Sequence, residues 1–301
     1  MQTIYLTLTV DLDPDNFDAS IFGKVDKMSW KGIDEGLPPF LEKIENLKDS
    51  FGSKPLITWF VRADKELFDV YGDYNYLLGR YSDFLNRRLK AGDEIGWHPH
   101  ENKMKDLISA HEALKPIDKN FVSVRVGNSF HNNDFMHAFS KWGFKVDSTA
   151  LPGRIRSDKE RILDWRETPE KPYFPSASDY RLSGGDSSEI LEVPFSMIET
   201  QSSEDQKPIK RYLNLSYEHN LIQNSLRSLI AEKQLLVSIV HPSELLDKQP
   251  KHSIIAFGTD IATKNLAFIL KEAETYDKKI KFTTMKETGE LVNQKIISYA
   301  K

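Results

Sequence analysis

The sequence predicts an α/β fold built on parallel strands. Three observations lead there: short apolar runs alternate with longer helical patterns along the chain, no Pro/Gly/Ser-rich linker divides it, and the polar residues of interest fall where predicted strands end. A parallel sheet or a barrel of parallel strands meets that rhythm. At 301 residues the chain has a size that α/β barrels reach as one unit. One domain over residues 1–301 is therefore expected.

The elements follow in order. Ile4 to Val10 reads as a strand, residues 38–50 as a helix and 55–61 as a second strand. A helix near 74–91, a strand near 94–98 and a helix near 103–114 continue the alternation. Phe121-Val122-Ser123-Val124-Arg125 is the next strand, and a helix near 132–142 stops at Gly143, a residue suited to the left-handed position after a helix. Lys145 to Thr149 is again a strand. Residues 151–188 are rich in Pro, Ser, Asp and Gly, and a segment of that length inside a domain usually carries function. Strand Ile190 to Pro194, a helix near 217–232, strand Leu235 to Val240, a helix near 261–276 and strand Ile280 to Thr284 complete the series.

Composition narrows the functional classes. Hydrophobic content of 39% and aromatic content of 11% support a sizeable core. Net charge is -4, with 41 basic residues interspersed among 45 acidic ones, so no basic footprint for nucleic acid exists. Cysteine is absent, which leaves imidazoles and carboxylates as the plausible donors to a transition metal. No run approaches the ~18 apolar residues of a membrane span, and no leader pattern opens the sequence; a soluble, cytoplasmic protein is expected, with an oligomer left open.

The chemistry-bearing residues cluster at strand tips. Asp11 and Asp13 follow the first strand two residues apart, so alternation turns both carboxylates to one face. Crowded carboxylates need a cation or a shared proton. His98 and His100 repeat that spacing after Gly92-Asp93-Glu94-Ile95-Gly96-Trp97. Asp-x-Asp alone is also a good turn, and His-x-His alone is unspecific; together, after separate strands, they read as a metal site beside a spare carboxylate. Arg125 and His241 end two further strands, at the end where barrel active sites are built. His131, Asp134 and His137 read as helix-capping and helix-face residues, and His111, His219 and His252 as incidental.

These residues resemble the motifs of the polysaccharide deacetylase superfamily, carbohydrate esterase family 4, with its nodulation-type chitooligosaccharide deacetylase domain. Thr9-Val10-Asp11-Leu12-Asp13 is similar to the first motif, and Gly92 to His98 to the lead into the metal-histidine motif; position 102, where the family has its second His, is Asn, so His100 takes that place. Arg125, then Trp142-Gly143-Phe144 and Asp147-Ser148-Thr149, resemble the third motif. Asp164-Trp165 resembles the fourth, and Leu236 to Val240 with His241-Pro242 the fifth. The resemblance covers residues 3–291. It implies a distorted, incomplete (β/α) barrel of about seven parallel strands.

The implied activity is metal-dependent removal of an acetyl or formyl group from an N-acylated amino sugar, nucleotide-linked, lipid-linked or in a small glycan, in cell-surface glycan biosynthesis. Asp13, His98 and His100 would hold one divalent ion, Zn2+ foremost, with Fe, Co or Ni as alternatives. Asp11 would be the general base, Arg125 would keep it ionised, and His241 would be the acid. The oxyanion amide would come from Gly127 or Asn128, since the Pro-Pro-Tyr that usually follows the Arg is absent. Asn128, Trp165, Tyr173 and Phe174 would line the substrate groove. The alternatives are a related non-peptide C–N amide hydrolase of small metabolites, or a carbohydrate-binding barrel without catalysis.

Overall fold

The structure is a computed structural model that describes residues 2–15, 28–115, 121–157, 162–184, 189–247 and 254–301. His252 lies outside the described residues. The strands are β1 (Gln2–Leu12), β2 (Ile57–Arg62), β3 (Glu94–His98), β4 (Ser123–Val124), β5 (Val146–Asp147), β6 (Ile155–Ser157), β7 (Ile162–Asp164), β8 (Leu191–Glu192), β9 (Met197–Thr200), β10 (Ile209–Tyr212), β11 (Leu235–Val240) and β12 (Lys278–Phe282). The α-helices are α1 (Leu37–Ile44), α2 (Lys65–Tyr71), α3 (Tyr76–Arg80), α4 (Ser82–Lys90), α5 (Met104–Leu114), α6 (Asn133–Trp142), α7 (His219–Glu232), α8 (Thr259–Thr275) and α9 (Met285–Asn293).

Contacts group the chain into two compact units, Met1–Ile57 with Ser196–Thr283 and Thr58–Phe195 with Thr284–Lys301. In the first unit β1 pairs with both β11 and β12, and in the second the strand order is β2-β3-β4-β5-β8. β1 runs parallel to β11 and β12, and the series β2 to β3, β4, β5 and β8 is parallel throughout. The fold is thus α/β with parallel strands, as the sequence predicts.

In the first unit β1 is buried on both faces from Leu6 onward. One face carries Ile4, Leu6, Leu8, Val10 and Leu12, each at most 4% exposed. The other carries Thr7 and Thr9, whose hydroxyls meet Thr283 Oγ1 at 3.1 Å and the Ser238 carbonyl at 2.6 Å. Buried hydroxyls must be paired, and these are. α8 buries Ala262, Leu266, Ile269 and Ala273 at helical spacing; each such Leu or Ile contributes about 2 kcal/mol by leaving water. β9 and β10 form an antiparallel hairpin that the strand-helix rhythm conceals. Arg211 holds both oxygens of Asp205 in that hairpin's loop, at 2.8 and 2.9 Å.

In the second unit β2 is buried at every position. Glu94, at the start of β3, is a buried junction: its carboxylate accepts from Ser123 Oγ at 2.5 Å, Thr58 Oγ1 at 3.0 Å and Lys286 N at 2.8 Å, capping α9. Burial pushes its pKa up. α6 matches the predicted helix: Asn132 accepts from Phe135 N at the start, and Gly143 ends it at φ 95°. The cap is Asn132 and not His131. Trp97 anchors an aromatic cluster with Phe139, Trp142 and Phe144.

The helix expected at 74–91 is two helices, α3 and α4, broken at Tyr81 (φ -108°, ψ 20°). Gly79 within the run lowers helix stability by about 1 kcal/mol relative to Ala. The long irregular segment contains a second antiparallel hairpin, β6–β7.

Candidate active site

Two sets of polar side chains stand at strand ends, one in each unit. In the first, Asp11 is the next-to-last residue of β1 and Asp13 follows the strand, with Asp13 N donating to Asp11 O at 2.9 Å. Both are 4% exposed. The third aspartate of Asp11-Leu12-Asp13-Pro14-Asp15 serves the backbone instead. Asp15 accepts from Lys31 N and Gly32 N, each at 2.8 Å, and from Ser29 Oγ. That clamp seats Gly32 on the turn after β11. A Cβ on Gly32 would lie 2.4 Å from the Pro242 carbonyl carbon, so only glycine fits.

His241 follows β11, whose register aligns Val240 with Val10. Its Nδ1–H donates to Glu244 Oε1 at 3.0 Å, which leaves Nε2 4.0 Å from Asp13 Oδ2. Glu244 is itself fixed: Oε1 accepts from Asn214 Nδ2 at 2.8 Å, and Oε2 from the His241 amide at 3.0 Å. Burial acts against a charged ring, but Glu244, Asp11 and Asp13 outweigh it and bring the His241 pKa up to about 9. Glu244 is a site residue that the sequence reading missed. Its signal was local, a carboxylate three residues after His241 in a capping box.

In the second unit His98, at the tip of β3, donates Nδ1–H to the Arg125 carbonyl at 2.7 Å. That bond fixes the tautomer and directs the Nε2 lone pair outward, the arrangement usual for a metal-binding imidazole. His100 Nε2 stands 3.0 Å from His98 Nε2. Gly127 backs directly onto the His100 ring; a Cβ there would sit 2.1 Å from Cδ2. His98 and His100 thus bring two imidazole nitrogens together in the second unit, and Asp11 and Asp13 stand as a buried carboxylate pair in the first. Two imidazoles with Nε2 atoms so close suit a first-row divalent cation.

Arg125 is a core residue, 1% exposed. Its guanidinium lies between the Phe60 and Phe195 rings, 4.1 and 4.2 Å from their centroids, and donates to Ser148 O and Oγ. Three charged residues nearby escaped the sequence reading. Arg62 ends β2 and binds Asp64 at 2.6 Å, both side chains buried. Burial pushes Asp64 up, yet Arg62, with a smaller contribution from His100, holds its pKa below the usual value. Burial raises Glu101 to about 7, with Asp64 and Asp106 adding to it.

The expected groove residues differ in exposure. Trp165 and Tyr173 have no accessible surface, Phe174 is half-buried and edge-on to Tyr299, and Asn128 is exposed with φ 54°. Asn102 is exposed. His111 stacks on Trp142 in the core, His219 bonds Asn265 Oδ1 at 2.7 Å, and His137 is an exposed helix-face residue.

No protein-family model and no curated protein matches this chain. Among solved structures it resembles the "putative polysaccharide deacetylase" of Mycobacterium smegmatis, with 17% identity, 100% of this chain and 93% of that one covered, and a TM-score of 0.54. A second, from Bordetella bronchiseptica and described as involved in O-antigen biosynthesis, shares 13% identity over 79% of this chain and 71% of that one, with a TM-score of 0.36. The first likeness establishes a shared fold. No helix among the described residues is long and apolar enough to cross a membrane.

Proposed function

We propose that the protein is a metal-dependent hydrolase that removes an N-acyl group, acetyl or formyl, from an amino sugar. The observation that carries this reading is the His98–His100 pair, Nε2 to Nε2 at 3.0 Å, with His98 Nδ1–H tied back to the Arg125 carbonyl. The fold shared with the Mycobacterium smegmatis protein supports it, as do the motif resemblances in chain order.

Asp13, His98 and His100 would hold the ion. When bound, it supplies Lewis acidity toward the acyl oxygen and an acidified water. Asp11 takes the proton of the attacking water. Arg125 contributes a fixed positive charge that cannot be lost near neutral pH. His241, with Nδ1–H committed to Glu244, presents Nε2 to the leaving nitrogen as the acid. The oxyanion donor would be the backbone amide of Gly127 or Asn128. Phe174 and Asn128 are the groove residues with accessible surface.

The test is acetate or formate release from a panel of N-acylated amino sugars in free, nucleotide-linked and short-oligomer form, using protein loaded with zinc or cobalt. Turnover of at least one sugar, abolished by Asp11→Asn with metal content unchanged, is expected. Metal-loaded protein that hydrolyses none of these sugars but cleaves small non-sugar amides contradicts the substrate assignment.

A further inference from the structure

A second buried polar network lies behind the imidazole pair, and nothing in the proposed chemistry uses it. Asp147, at the end of β5, has no accessible surface. It accepts from His131 Nε2 at 2.7 Å and from the Thr149 hydroxyl. His131 Nδ1 accepts from Asn132 N at 2.8 Å, so Nε2 carries the ring proton. Thr149 Oγ1, its proton given to Asp147, accepts from Val126 N at 2.9 Å. Glu192 holds the backbone on the far side, taking Thr149 N at 3.0 Å and Ala150 N at 2.9 Å.

The Val126 amide is where this network meets the site. The same peptide group carries the Arg125 carbonyl, the acceptor for His98 Nδ1–H. The residue after it is Gly127, whose backbone abuts the His100 ring. The same short backbone segment therefore sets both imidazoles, and the Thr149 hydroxyl is the side-chain group that reaches it from the end of β5. Asn128 and Ser129, which follow, hold φ of 54° and 55°. Non-glycine residues seldom adopt that region unless neighbouring structure imposes it.

We infer that Asp147 is a positioning residue for the histidine pair, acting through Thr149 and the Arg125–Gly127 backbone, with His131 fixing the Asp147 carboxylate from the opposite side. The carboxylate orients the hydroxyl, the hydroxyl fixes the Val126 amide, and the amide fixes the carbonyl that sets the His98 tautomer. Its consequence for metal affinity rests on the metal site proposed above; its consequence for the His98 ring does not.

The test uses the full chain with Thr149→Val, which keeps shape and removes both hydroxyl contacts, Thr149→Ser, which keeps both, and Asp147→Asn. Zinc affinity by chelator competition is expected to weaken about 10–100-fold in Thr149→Val and Asp147→Asn, the usual range for losing an outer partner of a metal ligand. Thr149→Ser should restore it to within threefold, which a general packing defect would not do. In metal-free protein, exchange of the His98 Nδ1 proton seen by NMR should quicken at least tenfold in Thr149→Val and Asp147→Asn. If the wild type binds no zinc, the metal reading fails and the exchange rates alone decide the inference. Wild-type-like exchange in a folded Thr149→Val or Asp147→Asn overturns it, as does zinc affinity unchanged in either.

Discussion

Glu244→Gln isolates the charge that holds His241 ready as an acid. The ring pKa in the metal-free protein stands at about 9 against 6.5 for an isolated imidazole, a stabilisation of the charged ring by about 3 kcal/mol at 1.36 kcal/mol per pH unit. Burial works against this, and Glu244 at 3.0 Å is the largest contribution overcoming it. Removing an opposite charge at such range should lower the pKa by about 1–2 units. The sign for stability follows: a pKa raised on folding contributes fully below 6.5 and is lost as pH rises through 9. The wild type's advantage over Glu244→Gln should therefore shrink between those values by up to about 2 kcal/mol. A pH-independent cost remains, because the Gln amide meets the His241 N–H donor-to-donor. The assay is an NMR titration of metal-free protein, the His241 signal assigned by its loss in His241→Asn. A midpoint that stays within about 0.3 units in folded Glu244→Gln would falsify the assignment of Glu244 as the charge that sets this ring.

Three further outcomes are expected. Gly127→Ala forces a methyl to 2.1 Å from the His100 ring, so zinc affinity should fall at least about tenfold with circular dichroism unchanged; wild-type affinity would show that the ring sits elsewhere. Arg125→Ala empties a slot between two aromatic rings and strips Ser148 of its partner, and urea unfolding should show a loss of about 3 kcal/mol or more, whereas a change under about 1 kcal/mol would place that guanidinium outside the core. Burial raises Glu101 from 4.5 to about 7, so its carboxyl costs stability that is absent below the first value and complete above the second. The Tm gain of metal-free Glu101→Gln over wild type should grow between about pH 5 and pH 7.5, and a constant difference would contradict the raised pKa.

Local periodicity carried the fold far. β11 coincides with its predicted strand, α6 ends at the predicted Gly143, and β1 covers the predicted run from Ile4 to Val10. It failed where local patterns compete. A run of helical composition across 74–91 breaks at Tyr81, and β6–β7 and β9–β10 sit in stretches whose Ser, Asp and Pro content reads as loop. The strand-end positions of Asp11 and His98 were legible because the strands that carry them were, whereas Asp13 and His100 lie just past the ends of β1 and β3. Asp64, Asp147 and Glu192 were not legible, since each gains its meaning from partners that only the tertiary fold supplies. His131 shows the same limit: the sequence offers a cap before α6, but Asn132 takes that place and leaves His131 to the buried Asp147.

The central claim is that Asp13, His98 and His100 bind one metal ion. Equilibrium dialysis against zinc, followed by elemental analysis of wild type, Asp13→Ala, His98→Ala, His100→Ala and Asp11→Asn, tests it most directly. The account predicts one tightly held zinc per wild-type chain, retained in Asp11→Asn and lost in the other three variants. Wild type without zinc, or equal retention in Asp13→Ala, His98→Ala and His100→Ala, would contradict it.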